Sequence, residues 1–212
     1  MLDSLRASLM STGLDPAQAA RDPMTQFAAW LNEAQSAGLY ATRAMTVATV
    51  NALGRPMARM VLLAGHDTRG FAFCTDDRSP KAAGLALSPF AALVFHWAEL
   101  ERQVRAEGDV EPIPADEANQ YFAARAPAAQ VAAHLGPQSA PVPGRAALEQ
   151  ALLDQLNALP AGHIPRPAHY VGYRLRPTVV EFWQGRTDRL HDRVRYTLQP
   201  DTNSWRLDRL AP

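Results

Sequence analysis

The chain has one cysteine, Cys74, and so cannot form an internal disulfide. That usage suits a reducing compartment, and the cytoplasm is the expected location. No two of its glycines are spaced Gly-x-Gly, which excludes both the dinucleotide fingerprint and the Walker loop. A bound phosphate would therefore be gripped by side chains, chiefly Arg and Lys, and not by a backbone cradle. The six histidines form no His-x-x-x-His pair and there is no Cys-x-x-Cys, so no metal site is expected. A Gly-x-Ser-x-Gly elbow is also absent, and Cys74 has no obvious neighbouring base, which argues against nucleophilic hydrolysis. Charge of one sign is not in excess: 21 basic residues balance 21 acidic ones. Neither nucleic acid nor an acidic membrane is an expected partner. No run approaches the ~20 apolar residues that span a bilayer, and MLDSLRASLM, with its early acid, does not read as a signal peptide.

What remains is ordinary globular chemistry. Apolar residues make up 47% and charged residues 20% of 212 residues, enough for one full hydrophobic core. Residues 1–21 read as a mobile leader with one helical turn, and 22–212 as a single domain. In DPMTQFAAWLNEAQSAGL, Asp22 can cap, Pro23 suits the first turn, Phe27, Trp30, Leu31 and Ala34 form one stripe, and Gly38 ends the helix. The period then changes. AMTVATV, PMARMVLL and GFAFCT are short β-type runs separated by NALGR and GHDTRG, both turn-like. SPKAAGLALSP is a short helix, and FAALVFHW and ERQVRAEGDVEPI continue the sheet. PADEANQYFAARAP, AAQVAAHLG and AALEQALLDQLNAL are helical, with the link QSAPVPG before the last. IPRPAHYVGYRLRPTVVEFWQG, DRVRYTLQ and SWRLDRL return to strand chemistry. Strands, then helices, then strands imply an α+β fold whose antiparallel sheet can close on itself.

The stretch EFWQGRTDRLHDR is the densest cationic cluster. If it were extended throughout, Arg189, His191, Arg193 and Arg195 would share one face, and Leu190, Val194 and Tyr196 the other. Further cations and amide or hydroxyl donors are scattered along the chain: Arg59 in RMVLL, Lys81 at a helix start, Gln103, Gln138 and Ser139. Spacing alone does not say that they meet. Read by itself, Trp183 is a core residue rather than a cofactor wall, and Tyr121 and Arg125, at i and i+4, make an ordinary helix-surface pair.

Taken together, RMVLL, FCTDDRSPK, HWAELERQV, EFWQG, RLHDR and RLDRLAP closely resemble the pyridoxamine/pyridoxine 5'-phosphate oxidase family, from about Asp22 to Pro212. The resemblance implies an FMN-binding split β-barrel with flanking helices, a homodimer with the flavin at its interface. It implies oxidation of pyridoxine or pyridoxamine 5'-phosphate to pyridoxal 5'-phosphate, with O2 reduced to H2O2. By matching position, Arg59 and Lys81 would hold the FMN phosphate. Met60, Val61, Leu62, Cys74 and Thr75 would line the flavin, and Gln103, Gln138, Ser139, Trp183 and Arg193 would complete its contacts, some from the partner. Arg189 and His191 would be the catalytic, substrate-positioning pair, with Tyr121 and Arg125 on the substrate phosphate.

Four positions depart from the pattern. Ala64 stands where the family has a phosphate-gripping Lys, Pro80 where it has Arg, and Ala129 where it has Ser. The N-terminal Arg-x-x-Tyr becomes Arg6-Ala-Ser-Leu9. These changes leave two alternatives open: a flavin oxidase of this fold with another substrate, such as a phenazine precursor, and a low-turnover protein that binds FMN or pyridoxal phosphate.

Overall fold

The computed structural model describes residues 2–159 and 162–212. Eight antiparallel strands form one sheet: β1 (Ala44–Val50), β2 (Pro56–Asp67), β3 (Gly70–Asp76), β4 (Phe90–Trp97), β5 (Arg102–Pro112), β6 (Tyr170–Gln184), β7 (Asp192–Gln199) and β8 (Ser204–Arg209). The order is β3-β2-β1-β4-β5-β6-β7-β8, and a further β3–β6 pairing closes the first six strands into a barrel. β7 and β8 extend the sheet beyond it. This is the α+β split barrel that the sequence implies. Closure removes the exposed edges that an open sheet would leave.

Alternation places the core. Met45 and Val47 of β1, Leu93 and Phe95 of β4, Val104 of β5 and Val180 and Phe182 of β6 are buried, while the residues between them face outward. β6 is long enough to serve two partners: its first half pairs with β3 and its second with β7, and β5 runs along both. The bend between the halves is opposite Gly108, where a Cβ would lie 1.9 Å from the Arg176 carbonyl oxygen. Only glycine permits that approach.

Among the described residues six α-helices flank the barrel: α1 (Leu2–Thr12), α2 (Pro23–Ser36), α3 (Pro80–Leu87), α4 (Ala115–Ala123), α5 (Pro127–Ala132) and α6 (Arg145–Ala158). The Asp22 side chain caps α2 by accepting from Thr25 N at 2.8 Å. The expected stripe is the buried one, with the Phe27 ring 4.8 Å from those of both Phe71 and Phe95.

The structure corrects three expectations. Before Asp22 it holds not one helical turn but α1, about three turns. Leu2, Leu5 and Leu9 pack against the core and Leu14 is buried, a stripe too sparse to stand out in an Ala- and Ser-rich context. Second, β2 runs to Asp67, so GHD belongs to the strand and only Thr68-Arg69 turn. Third, the cationic stretch is extended only at its ends, Glu181–Gln184 closing β6 and strand resuming at Asp192. Val194 and Tyr196 are fully buried as alternation requires, but Leu190 is 66% exposed and Arg189 adopts φ 63°. A residue in the left-handed region breaks strand alternation, so Arg189, His191 and Arg193 do not form one row.

Candidate functional site

A cavity of about 1150 Å³ opens between β2, β3, the start of α3, the α4–α5 region and the 135–142 link. Four cations line it, Arg43, Arg59, Lys81 and Arg125, and one carboxylate, Asp76. Asp76 is committed elsewhere: the Arg78 guanidinium, at 2.8–2.9 Å, holds its carboxyl well below the usual range. A chain with no net charge has gathered uncompensated positive charge at one place.

Lys81 is the clearest case. The Ser79 side chain caps α3 and Pro80 opens it, which places Lys81 in the first turn, where the helix dipole disfavours a cation. It is 7% exposed, and its ammonium donates to Thr75 Oγ1, to Ser79 Oγ at 3.1 Å and to Gln138 Oε1 at 2.5 Å. All three are neutral oxygens. Burial, and then the Arg59 charge, push its pKa down to about 8. Arg59 is anchored through Nη1 to Val47 O, Met57 O and Thr49 Oγ1 at 2.9–3.2 Å, and burial lowers its pKa as well. Two cations lining one cavity, neither in an ion pair among the described residues, form a grip that an anion would complete.

The other end of the cavity is built around Tyr121. The strand bulges between Leu63 and Gly65, and at Gly65 an added Cβ would lie 2.4 Å from the Tyr121 hydroxyl. That hydroxyl donates to Glu117 Oε1 at 3.0 Å, and Glu117 is paired with the fully buried Arg174, which also holds Asp67 at 2.9 Å. Glu117 and Arg174 are positioning residues that sequence reading missed. Their one signal was the i, i+4 spacing of Glu117 and Tyr121, hidden behind the Tyr121–Arg125 pair. In fact α4 ends at Ala123, so Arg125 is not a helix-surface residue. Its guanidinium lies 4.9 Å over the Tyr170 ring, and its Nη1 is buried with no hydrogen-bond partner among the described residues.

Of the expected site residues, Arg59, Met60, Val61, Leu62, Cys74, Thr75, Lys81, Gln138, Ser139, Tyr121 and Arg125 all line this cavity. Gln103, Trp183, Arg189, His191 and Arg193 do not. Gln103, Trp183 and Arg193 form a second group on the outward face of β5, β6 and β7, where Gln103 is opposite Trp183 and Trp183 opposite Arg193, and Arg189 and His191 lie in the loop before β7. The His191 ring lies 4.8 Å from Trp183. Its Nδ1 accepts the Arg186 N–H at 3.1 Å, which leaves Nε2 for another partner. Arg193 is fixed by Glu181 at 2.8 Å and Ala211 O at 2.9 Å.

The leader anchors this second group. Asp192 Oδ2 accepts Leu14 N–H at 3.0 Å, and Arg186 Nη1 donates to Ser11 O at 2.7 Å. Gly13, at φ 73°, lies between them, where a Cβ would come within 2.3 Å of Asp192 Oδ2.

Comparison with known proteins matches residues 31–154 to the family model described as pyridoxamine 5'-phosphate oxidase. Residues 170–212 match that of the pyridoxine 5'-phosphate oxidase C-terminal dimerisation region. A pyridoxine/pyridoxamine 5'-phosphate oxidase of Cupriavidus necator is 49% identical over 211 residues, covering 100% of this chain and 99% of the relative. Among solved structures, PhzG from Burkholderia lata 383, in complex with tetrahydrophenazine-1-carboxylic acid, superposes with a TM-score of 0.86 at 30% identity, covering 94% of this chain and 98% of that one. A pyridoxamine 5'-phosphate oxidase-related, FMN-binding protein from Nostoc punctiforme shares the fold, with a TM-score of 0.73 at 22% identity and coverage of 94% and 98%.

Proposed function

Because the chain belongs to the pyridoxamine 5'-phosphate oxidase family, we propose that it is an FMN-dependent oxidase. On this reading it oxidises pyridoxine 5'-phosphate, or pyridoxamine 5'-phosphate with uptake of water and release of ammonia, to pyridoxal 5'-phosphate with O2, releases H2O2, and acts as a cytoplasmic homodimer. The observation that carries the reading is the pair Arg59 and Lys81, a half-buried and a buried cation that line one cavity and make no ion pair among the described residues. A flavin phosphate is the counter-charge they lack, so the residues present fit the cofactor. Met60, Val61, Leu62, Cys74, Thr75, Gln138 and Ser139 line the rest of its cavity.

A second copy of the chain supplies what the cavity lacks. The 170–212 segment that matches the dimerisation region carries Trp183, Arg189, His191 and Arg193, and Gln103 is their cross-strand neighbour. These residues would hold FMN, which would supply the two-electron chemistry between C4' of the substrate and O2. The protein's own work is placement. Tyr121 and Arg125 hold the substrate phosphate, Arg189 presses the pyridine toward the flavin and stabilises negative charge, and His191 bonds a polar ring substituent through Nε2.

Anaerobic mixing tests the reading. Pyridoxamine 5'-phosphate should discharge the yellow colour of the FMN-loaded protein within its turnover time. One observation favours a second reading: Ala64 lines the cavity where a phosphate-gripping Lys is the family pattern, and the PhzG likeness is close. Bleaching with a dihydrophenazine-type acid but not with pyridoxamine 5'-phosphate would decide for that alternative, and tight binding without bleaching by either for a carrier. A more local test uses Gly65→Ala, which drives a methyl into the Tyr121 hydroxyl. The expected result is a ~10-fold rise in KM for pyridoxamine 5'-phosphate with FMN affinity unchanged, since one substrate hydrogen bond of ~1.4 kcal/mol is lost.

A further inference from the structure

Arg43 belongs to no motif, yet its side chain lines the cavity. It directly precedes β1, and its backbone carbonyl accepts Leu63 N–H at 2.8 Å. Its Nε donates to Leu63 O at 3.0 Å and its Nη2 to Ala64 O. The latter carbonyl is free because the bulge between Leu63 and Gly65 leaves Ala64 without a partner on β3. Arg43 makes no ion pair among the described residues, and its Nη1 makes no hydrogen bond to any of them. A guanidinium tied down by two carbonyls and open at its third nitrogen is pre-organised for an anion.

Its neighbours show which end of the cavity it serves. Arg43 is bonded at Ala64, and the Tyr121 hydroxyl packs against Gly65, the next residue. Arg125, with its buried and unpartnered Nη1, follows Tyr121 by four positions and lines the same cavity. We propose that Arg43 and Arg125 together form a subsite for a dianionic phosphomonoester, with Arg43 as the specificity-determining residue that favours phosphorylated over unphosphorylated pyridines. The subsite rests on the proposed oxidase reading for the ring that carries the phosphate, not for the phosphate itself. Two fixed cations suit a doubly charged phosphate better than a singly charged carboxylate. A small side chain at Ala64 leaves the space that an arginine arriving from β1 needs.

The test is an equilibrium titration of the FMN-loaded protein with 4'-deoxypyridoxine 5'-phosphate and with 4'-deoxypyridoxine, neither of which carries an oxidisable C4' substituent. Wild type should prefer the phosphorylated probe. Arg43→Ala should weaken that probe at least 10-fold, leave the unphosphorylated probe and the FMN dissociation constant unchanged, and raise KM more than it lowers kcat. Arg43→Lys should recover part of the loss, which a purely structural role for the side chain would not allow. Equal affinity of wild type and Arg43→Ala for the phosphorylated probe overturns the proposal, as does a wild type with no preference between the probes. If the preference is present and lost in Arg43→Ala but pyridoxamine 5'-phosphate fails to bleach the flavin, the subsite stands and the reaction reading falls.

Discussion

Replacing Lys81 with methionine and Arg59 with alanine together should leave the purified chain colourless. Charge-assisted hydrogen bonds contribute ~1.5–3 kcal/mol each, so removing both cations should weaken FMN by ~10²–10⁴-fold, and either single change by ~10–10²-fold. Titration of FMN fluorescence reads this directly, and undiminished affinity in the double variant would move the flavin phosphate elsewhere. Lys81→Met should also stabilise the flavin-free chain, by roughly 1–3 kcal/mol at neutral pH, because it removes a buried charge with no counter-charge.

The two properties should respond to pH in opposite senses. The folded-state pKa of Lys81, about 8, lies below its ordinary 10.5, so between these values the unfolded chain binds more protons than the folded one. Stability of the flavin-free protein from this group therefore rises with pH across that window, with the penalty complete below it. Affinity for FMN needs the charged ammonium, so it should decline above about pH 8. It should also decline below ~6, where a phosphate monoester dianion takes up a proton and becomes a monoanion. Lys81→Met should abolish the alkaline limb in FMN titrations and keep the acidic one.

The sheet was legible because strand chemistry alternates cleanly in AMTVATV, FAALVFHW and DRVRYTLQ, and the core those runs imply is the buried one. Barrel closure was not, since the β3–β6 contact joins residues about a hundred positions apart and leaves no local signal. Lys81 and Arg59 could be named from motif positions, but their meeting in one cavity without an ion pair among the described residues is a fact of three-dimensional placement. Arg43 could not be named at all. It is an unremarkable residue before a strand until the bulge frees the Ala64 carbonyl to hold it. The extended reading of RTDRLHDR failed for a different reason. The segment from Gly185 to His191 is shaped by the Arg186, Asp188 and Asp192 side chains bonding to backbone or to one another. Polar side chains of that kind compete with strand pairing.

That loop carries the prediction with the largest expected effect on turnover. Arg189 is exposed and holds φ 63°, a conformation that costs a non-glycine residue ~1 kcal/mol or more. It is kept there by anchors on both sides: Arg186 bonds Ser11, Asp192 accepts Leu14 N–H, and His191 packs on Trp183. A structure that maintains a strained arginine on an open loop is maintaining the direction of its side chain. Arg189→Ala should therefore lower kcat/KM for pyridoxamine 5'-phosphate by ~10²–10³-fold, the loss of one or two charged hydrogen bonds made at the reacting ring, while FMN affinity stays at the wild-type value. Arg189→Gly should be equally inactive yet more stable than Arg189→Ala, because glycine adopts positive φ without penalty, and thermal unfolding of the pair reads that difference. If Arg189→Ala instead releases the flavin, the arginine grips cofactor and not substrate, and the positioning role falls to His191 alone.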